Sequence, residues 1–416
     1  MGYFSELRIH ARPLAAASLG SGTSLPLFAY TNSVFAPHLV EDFGWSRSQF
    51  ALVGLTMLST LLVLPFIGRM TDSLGVKRMA LLGTLCVPLC FIGFAMQQGE
   101  FWHYLVASVG VLALGSLTSP LVYTRLIAEN FEKTTGLALT IVNCVPAILA
   151  MAMVPGLNRF IEEFGWRSGY LAIAAFTLVA GLTALSLIPK TKASEAGVEP
   201  GPGQNVPDYP ATAELHRPAR EDYGTILKSK VFWFIFLGMF MCLLQTPLHA
   251  SQMNLMLVDN EISMQTAANV VTVYAFGTVI GRVGCGLALD RYPTPIVSML
   301  SMVLPALGFY LLATDINTVA LITFSMFLVG LSVGAESDLI SYLVQRYFKL
   351  RIYNTTLGLV YCVSFLASAL GALAISYTLK IADSFSPYLL VVSVSIAFGS
   401  LLFLFLPWSK DSEKVG

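Results

Sequence analysis

Residues 48–78 read SQFALVGLTMLSTLLVLPFIGRMTDSLGVKR, and the first 21 of them carry no charged side chain. At about 1.5 Å of rise per residue, a helical run of that length covers the roughly 30 Å of a bilayer's hydrocarbon layer. The polar stretch that follows, with Arg69, Asp72, Lys77 and Arg78, is where the chain leaves it. The same window applied outward from this segment places twelve spans, at 14–38, 48–70, 79–97, 103–126, 136–158, 168–188, 231–257, 264–288, 295–313, 318–343, 355–379 and 385–407. They fall into two sets of six. Between them, residues 192–222, KASEAGVEPGPGQNVPDYPATAELHRPARED, are too rich in Pro, Gly and charge to form a packed core. The expectation is an all-α membrane protein with a six-helix half over 1–188, a polar cytoplasmic linker over 189–230 and a second six-helix half over 231–416.

Composition agrees. Of 416 residues, 56% are hydrophobic and 12% charged, against about 25% charged in soluble chains. Lipid has to cover what polar side chains cannot. The 24 basic and 24 acidic residues cancel, so no electropositive field exists to attract nucleic acid. All six cysteines lie in apolar runs without a CxxC spacing, as core residues and not disulfide or zinc ligands. The N-terminal MGYFSELRIHARP is polar and basic, and the run after it reads as a retained first span rather than a cleaved signal. With the N-terminus inside, 19 Lys and Arg flank the cytoplasmic ends and 4 the outer ends. That bias places both termini in the cytoplasm.

The halves echo one another. GRMTD ends at Asp72 and GLALD at Asp290, 218 positions later, while FEKTTGLAL near Gly136 matches NTTLGLV near Gly358 at a distance of 222. Duplicated six-helix units with a ligand site at their interface near the bilayer midplane are a known transporter plan.

The segment Gly68-Arg69-Met70-Thr71-Asp72-Ser73-Leu74-Gly75-Val76-Lys77-Arg78 resembles the loop signature of the major facilitator superfamily, GxxxD-R-x-G-[RK]-[RK], with Ser73 where that family usually has Arg. Gly286, Asp290 and Arg291 keep the core of the same signature in the second half. The resemblance implies that the glycines permit close helix approach and that each Asp meets a helix N-terminus or a basic partner, so Gly68, Asp72, Lys77, Arg78, Asp290 and Arg291 form a conformational gate. PHLVEDFGWSRSQF (37–50), FGWRSGY (164–170), GRVGCGLALDR (281–291) and ESDLISYLVQRYFKLR (336–351) are similar to bacterial monocarboxylate-transporter-like and oxalate/formate-antiporter-like proteins. A multi-pass protein of the bacterial inner membrane, acting as a monomer, is what this implies.

Arg282 stands eight residues before Asp290, about 12 Å into the membrane on a helix. Insertion costs about 2.5–3.5 kcal/mol for arginine at a helix centre, so such a charge faces a cavity, a ligand path or a counter-charge. In the resembling carriers an arginine at this place binds the substrate carboxylate, and bidentate guanidinium geometry explains the choice. Glu336 and Asp338 precede Arg346 by ten and eight residues, which puts two carboxyls at comparable depth, within pairing reach of Arg282. Crowded and poorly hydrated carboxyls resist double ionisation, which marks them as proton-coupling candidates, with neutralisation of Arg282 as the alternative. Where carriers of the resembling group often have an Asp one turn before the arginine, this chain has Thr278; Ser364 and Tyr30 align with lysines of the oxalate and animal monocarboxylate carriers. One positive charge suits a monoanion.

Helix breaks beside polar groups add substrate-binding candidates: Tyr30 and Asn32 in span one, Asn143 in span five, His249 beside Gln245 and Pro247 in span seven, Tyr361 and Ser364 in span eleven. Each has an ordinary interhelical hydrogen bond as its alternative, and His249, in the outer part of its span, has solvation. Arg125 and Glu129 are four apart, which predicts a local pair. There is no HExxH, GxxxxGK[ST] or nucleophile elbow, and nothing calls for a cofactor. The expected function is a proton-coupled secondary carrier of small organic anions, monocarboxylates and aromatic acids among them. A drug or sugar carrier and a non-transporting receptor are the alternatives.

Overall fold

In a computed structural model, the protein is described over residues 3–23, 41–45, 58–189, 219–250, 264–314, 318–382 and 384–408, with isolated positions at 28, 31, 34, 35, 38, 39, 56 and 253. Its regular elements there are helices: α1 (Tyr3–Ile9), α2 (Ala11–Gly22), α3 (Leu58–Leu74), α4 (Val76–Ala95), α5 (Phe101–Gly115), α6 (Pro120–Asn130), α7 (Thr135–Leu187), α8 (Ala219–Lys228), α9 (Lys230–Leu243), α10 (Thr246–Ala250), α11 (Met264–Arg291), α12 (Thr294–Leu312), α13 (Val319–Tyr347), α14 (Tyr353–Ala382) and α15 (Ser386–Leu402). Ten stretches among the described residues are long and apolar enough to cross a membrane, and they coincide with ten of the twelve predicted spans. The other two, 14–38 and 48–70, are described only in part, through α2 and α3.

The helices turn apolar side chains outward, as with Leu62 at 74% and Val394 at 70% exposure, the inverse of a water-soluble fold and what hydrocarbon surroundings require. α7 is two helices joined at Gly165, whose φ of 80° and ψ of 159° lie where only glycine is comfortable. That turn brings FGWRSGY against DFGW. Trp166 Nε1 donates to Asp42 Oδ2 at 2.5 Å, Trp45 Nε1 donates to the Gly99 carbonyl at 2.8 Å, and the Arg167 guanidinium lies 4.3 Å from the Trp166 ring centre. Phe35 stacks on Tyr170 at 3.8 Å in the same cluster. The segments that carry the family resemblance at that end therefore serve the packing of the first half.

The linker departs from expectation. α8 lies inside it, because Ile226 is fully buried, Asp222 Oδ2 pairs with Arg69 at 2.9 Å, its Oδ1 lies 3.8 Å from Arg351, and Tyr223 donates to the Pro65 carbonyl at 3.3 Å. Overall linker composition hid one short amphipathic stretch, AREDYGTILK.

Glu6 of α1 reaches the start of α7. Its carboxylate accepts from the backbone N–H groups of Glu132, Lys133 and Thr134 at 3.0, 3.1 and 2.8 Å and from the Thr134 hydroxyl at 2.8 Å. Burial alone pushes this carboxyl up, but those hydrogen bonds outweigh it and hold it below the ordinary value of 4.5. A carboxylate with a lowered folded-state value stabilises fully above its unfolded value and loses that contribution as the pH falls through the folded one. The melting-temperature gap between wild type and Glu6→Gln is therefore expected to be constant above about pH 4.5 and to close on further acidification; a gap that widens in acid would contradict the cap.

Candidate substrate and gating site

The two signature segments meet the opposite half at one end of the bundle, the motif end. Asp72, at the end of α3, accepts from the backbone N–H groups of Asn354 and Thr355 at 3.0 and 2.7 Å and from the Thr355 hydroxyl at 2.7 Å. Asp290, in the last turn of α11, accepts from the N–H groups of Gly136 and Leu137 at 2.6 and 3.1 Å. Each carboxylate thus sits on the first turn of a helix from the other half, α14 or α7, where free N–H groups and the helix dipole favour an anion. Close approach makes this feasible. A methyl group on Gly68 would strike the Asn354 carbonyl, and one on Gly286 the Thr140 hydroxyl and Gly136 carbonyl.

Asn354 and Thr355 follow Gly136 and Leu137 by 218 positions, as Asp290 follows Asp72. This corrects the 222-residue match of Gly136 with Gly358, which paired glycine with glycine; the position spatially equivalent to Gly136 is Asn354. Arg125 does form the expected pair with Glu129, at 2.7 Å, and its Nη1 also reaches Asp72 at 2.6 Å. Lys77, Arg78 and Arg291 are exposed, on the rim of this latch.

Deeper in, Arg282 joins the halves. Its Nη1 donates to the Asn143 carbonyl of α7 at 2.6 Å, its Nε to the Gly334 carbonyl of α13 at 3.2 Å, and its Nη2 lies 3.5 Å from the Ser337 hydroxyl. Asp338 is fully buried. It accepts from Asn143 Nδ2 at 2.6 Å and from the Thr140 hydroxyl at 2.8 Å. The expected contact of Arg282 with Glu336 or Asp338 is therefore not a direct ion pair among the described residues: Asn143 stands between, giving its carbonyl to the arginine and its amide to the aspartate. Among the same residues Glu336 has no hydrogen bond or ion pair.

The remaining candidates scatter. Tyr361 lies 3.3 Å from the Ser341 hydroxyl, one turn from Asp338. Ser364 Oγ is buried and has no hydrogen-bond partner among the described residues. His249, for which solvation was the alternative to a substrate contact, is half-buried: the Tyr274 hydroxyl lies 3.1 Å from its Nδ1, and its Nε2 is buried and has no hydrogen-bond partner among the described residues. Tyr388 donates to the Leu244 carbonyl, freed at the break before α10, at 2.7 Å. Tyr30 and Asn32 lie outside the described residues.

Thr140 and Ser337 escaped the sequence reading. Their signal was helical phase: Gly136, Thr140 and Asn143 share a face of α7, Thr278, Arg282, Gly286 and Asp290 a face of α11, and Gly334, Ser337, Asp338 and Ser341 a face of α13.

The family model of the Major Facilitator Superfamily matches residues 17–372, and again 250–415. Monocarboxylate transporter 14 of Homo sapiens is 28% identical over 193 residues, 44% of this chain and 38% of that protein. A gentisate transporter of Corynebacterium glutamicum is 28% identical over 217 residues, 48% and 46% of the two chains. The chain spans less than half the length of these curated relatives. Among solved structures, the fucose:proton symporter of E. coli gives a TM-score of 0.70 at 12% identity, over 97% of this chain and 100% of that one. A bacterial homologue of the iron transporter ferroportin in an outward-facing state gives 0.71 at 14%, over 96% and 99%. At such identities the likeness is one of fold.

The latch predicts a looser interface when either carboxylate loses its charge. Asp72→Asn weakens the acceptor for Arg125, Asn354 and Thr355, and Asp290→Asn the acceptor for the Gly136 and Leu137 N–H groups. Hydrogen bonds to charged groups contribute about 1.5–3 kcal/mol each. Both variants are expected to increase alkylation of a cysteine placed at Leu137 or Asn354; unchanged labelling in both would remove the latch.

Proposed function

We propose that the chain, which belongs to the Major Facilitator Superfamily and is a multi-pass membrane transporter rather than an enzyme, carries small organic anions by rocking its two halves about the Arg282 site. The observation that carries this is a guanidinium, eight residues inside the Asp290 latch, held by two backbone carbonyls and a hydroxyl and by no carboxylate among the described residues. Its charge is left for an incoming anion. The monocarboxylate and gentisate specificities of the two sequence relatives support the same substrate class. Asn143, Tyr361, Ser364 and His249 are the groups that would contact the rest of the substrate, with Tyr30 and Asn32 from span one.

With 19 basic residues flanking the motif end and its companion ends against 4 opposite, the motif end is cytoplasmic, the full protein has twelve spans with both termini inside, and it resides in the bacterial inner membrane as a monomer. The cycle then begins with the cytoplasmic side shut by Asp72 and Asp290.

Coupling to protons rests on Glu336 and Asp338. Both oxygens of Asp338 already accept hydrogen bonds, whereas Glu336 can take up a proton without breaking any interaction among the described residues, two positions away on α13.

Arg282→Ala and Arg282→Lys are expected to abolish counterflow of labelled benzoate, gentisate or lactate in proteoliposomes while membrane insertion persists. Lysine fails because a point charge does not reproduce two parallel N–H donors. Counterflow at wild-type rate in Arg282→Ala would end the anion assignment. Glu336→Gln is expected to keep counterflow but lose accumulation driven by an imposed pH gradient, and Asp338→Asn to lose that accumulation as well; undiminished accumulation in both would remove these carboxyls from proton coupling.

A further inference from the structure

The hydrogen bonds around Arg282 cross between the halves, and the arginine that holds the substrate in the function proposed above is itself one of the crossing donors. Nε is committed to the Gly334 carbonyl of its own half. A carboxylate that grips the guanidinium with both oxygens therefore takes the Nη1–Nη2 edge, the edge that faces Asn143 and Ser337. A carboxylate is the stronger acceptor, since charge-assisted bonds are about twice as strong as neutral ones, so the Asn143 carbonyl is displaced. The side chain of the same residue donates to Asp338 at 2.6 Å, beside Thr140 at 2.8 Å. Asn143 thus ties α7 to both α11 and α13, through its backbone carbonyl and its side-chain amide, and one turn away the Thr140 hydroxyl does the same more weakly on the α11 side, lying 3.3 Å from the Arg282 carbonyl and 2.8 Å from Asp338.

We propose that Asn143, with Asp338 as its anchor, is the positioning residue that converts capture of an anion at Arg282 into release of the two halves. α7 is an unbroken helix from Thr135 to beyond Asn143. Loss of its hold on Arg282 at Asn143 is therefore transmitted to Gly136 and Leu137, two turns away, which are the residues that Asp290 grips. Substrate capture and opening of the motif end become one event.

The test places spin labels at the exposed Lys77 and Lys349, one in each half at the motif end, in a transport-competent background with the six cysteines replaced, and reads the inter-label distance distribution. Without any anion, Asn143→Ala is expected to raise the open population about tenfold or more, the size of losing one buried bond to a charged group. Thr140→Val, which removes one Asp338 donor at constant shape, is expected to shift it in the same direction by less. The Arg282 acceptor is the backbone carbonyl of residue 143, which Asn143→Ala keeps, so benzoate or gentisate is expected to open the wild type and to add a smaller further opening to the already loosened Asn143→Ala. A ligand-free distribution in both variants identical to wild type, with melting temperatures intact, would overturn the proposal even if Arg282→Ala abolishes transport. Conversely, if Arg282→Ala opens the motif end yet still exchanges carboxylates, the lock stands and the anion site at Arg282 fails.

Discussion

A positive charge at mid-membrane depth has to be answered by groups that water cannot supply, and here it is answered from both halves at once. Arg282 belongs to α11, yet its shortest hydrogen bond, at 2.6 Å, goes to the Asn143 carbonyl of α7. Desolvation makes every such bond costly to leave unmade. On the proposed function, the two halves separate at this depth when another acceptor takes over, and the identity of that acceptor sets what the protein responds to. A neutral solute offers nothing better than the carbonyl already present. An anion does.

The outer shell of the same interface follows one plan twice. Asp72 and Asp290 each close on the first turn of a helix from the other half, at positions separated by the same interval, with glycines allowing the backbones to meet. The copies are not equal. Arg125, itself tied to Glu129, adds a charged donor to Asp72, and α8 straps that side further through Asp222, which lies near Arg69 of the first half and Arg351 of the second. Two equivalent latches with different partners need not release together, and the pair of Asp290 with α7 is the one joined directly to Asn143.

Much of this was legible in the chain and part of it was not, for physical reasons. Span positions follow from window length alone, because hydrocarbon thickness admits few alternatives. The latch aspartates were legible through their resemblance to a known loop signature, in which a Gly and an Asp stand four apart at a helix end. The depth of Arg282 and Asp338 came from helical rise, but their relation did not, since Asn143 comes from a segment nearly 140 residues away and pairing across halves leaves no local signal. The Gly136–Gly358 match misled because residue identity was taken for structural equivalence, whereas the equivalent cap is formed by backbone N–H groups that any residue supplies. Solvation stood as the alternative for His249 because its depth was counted without Tyr274, which approaches from the next helix.

What keeps such an interface able to move is its composition. The crossing contacts at Asp72, Asp290, Asp338 and Arg282 are hydrogen bonds, each displaceable singly and each contributing on the order of 1.5–3 kcal/mol. Driving a two-state equilibrium from 1:99 to 99:1 takes about 5.5 kcal/mol of differential binding. Exchange of one acceptor at Arg282 would supply only a fraction of that, so an anion bound as proposed would bias the halves without committing them. A second event on the same network has to contribute the remainder, and the carboxyls at 336 and 338, on the neighbouring face of α13, are where a proton would act with the anion and not apart from it. The arrangement would then be thermodynamically reciprocal: whatever the proton does for release of the substrate-bound state, the substrate does for uptake of the proton.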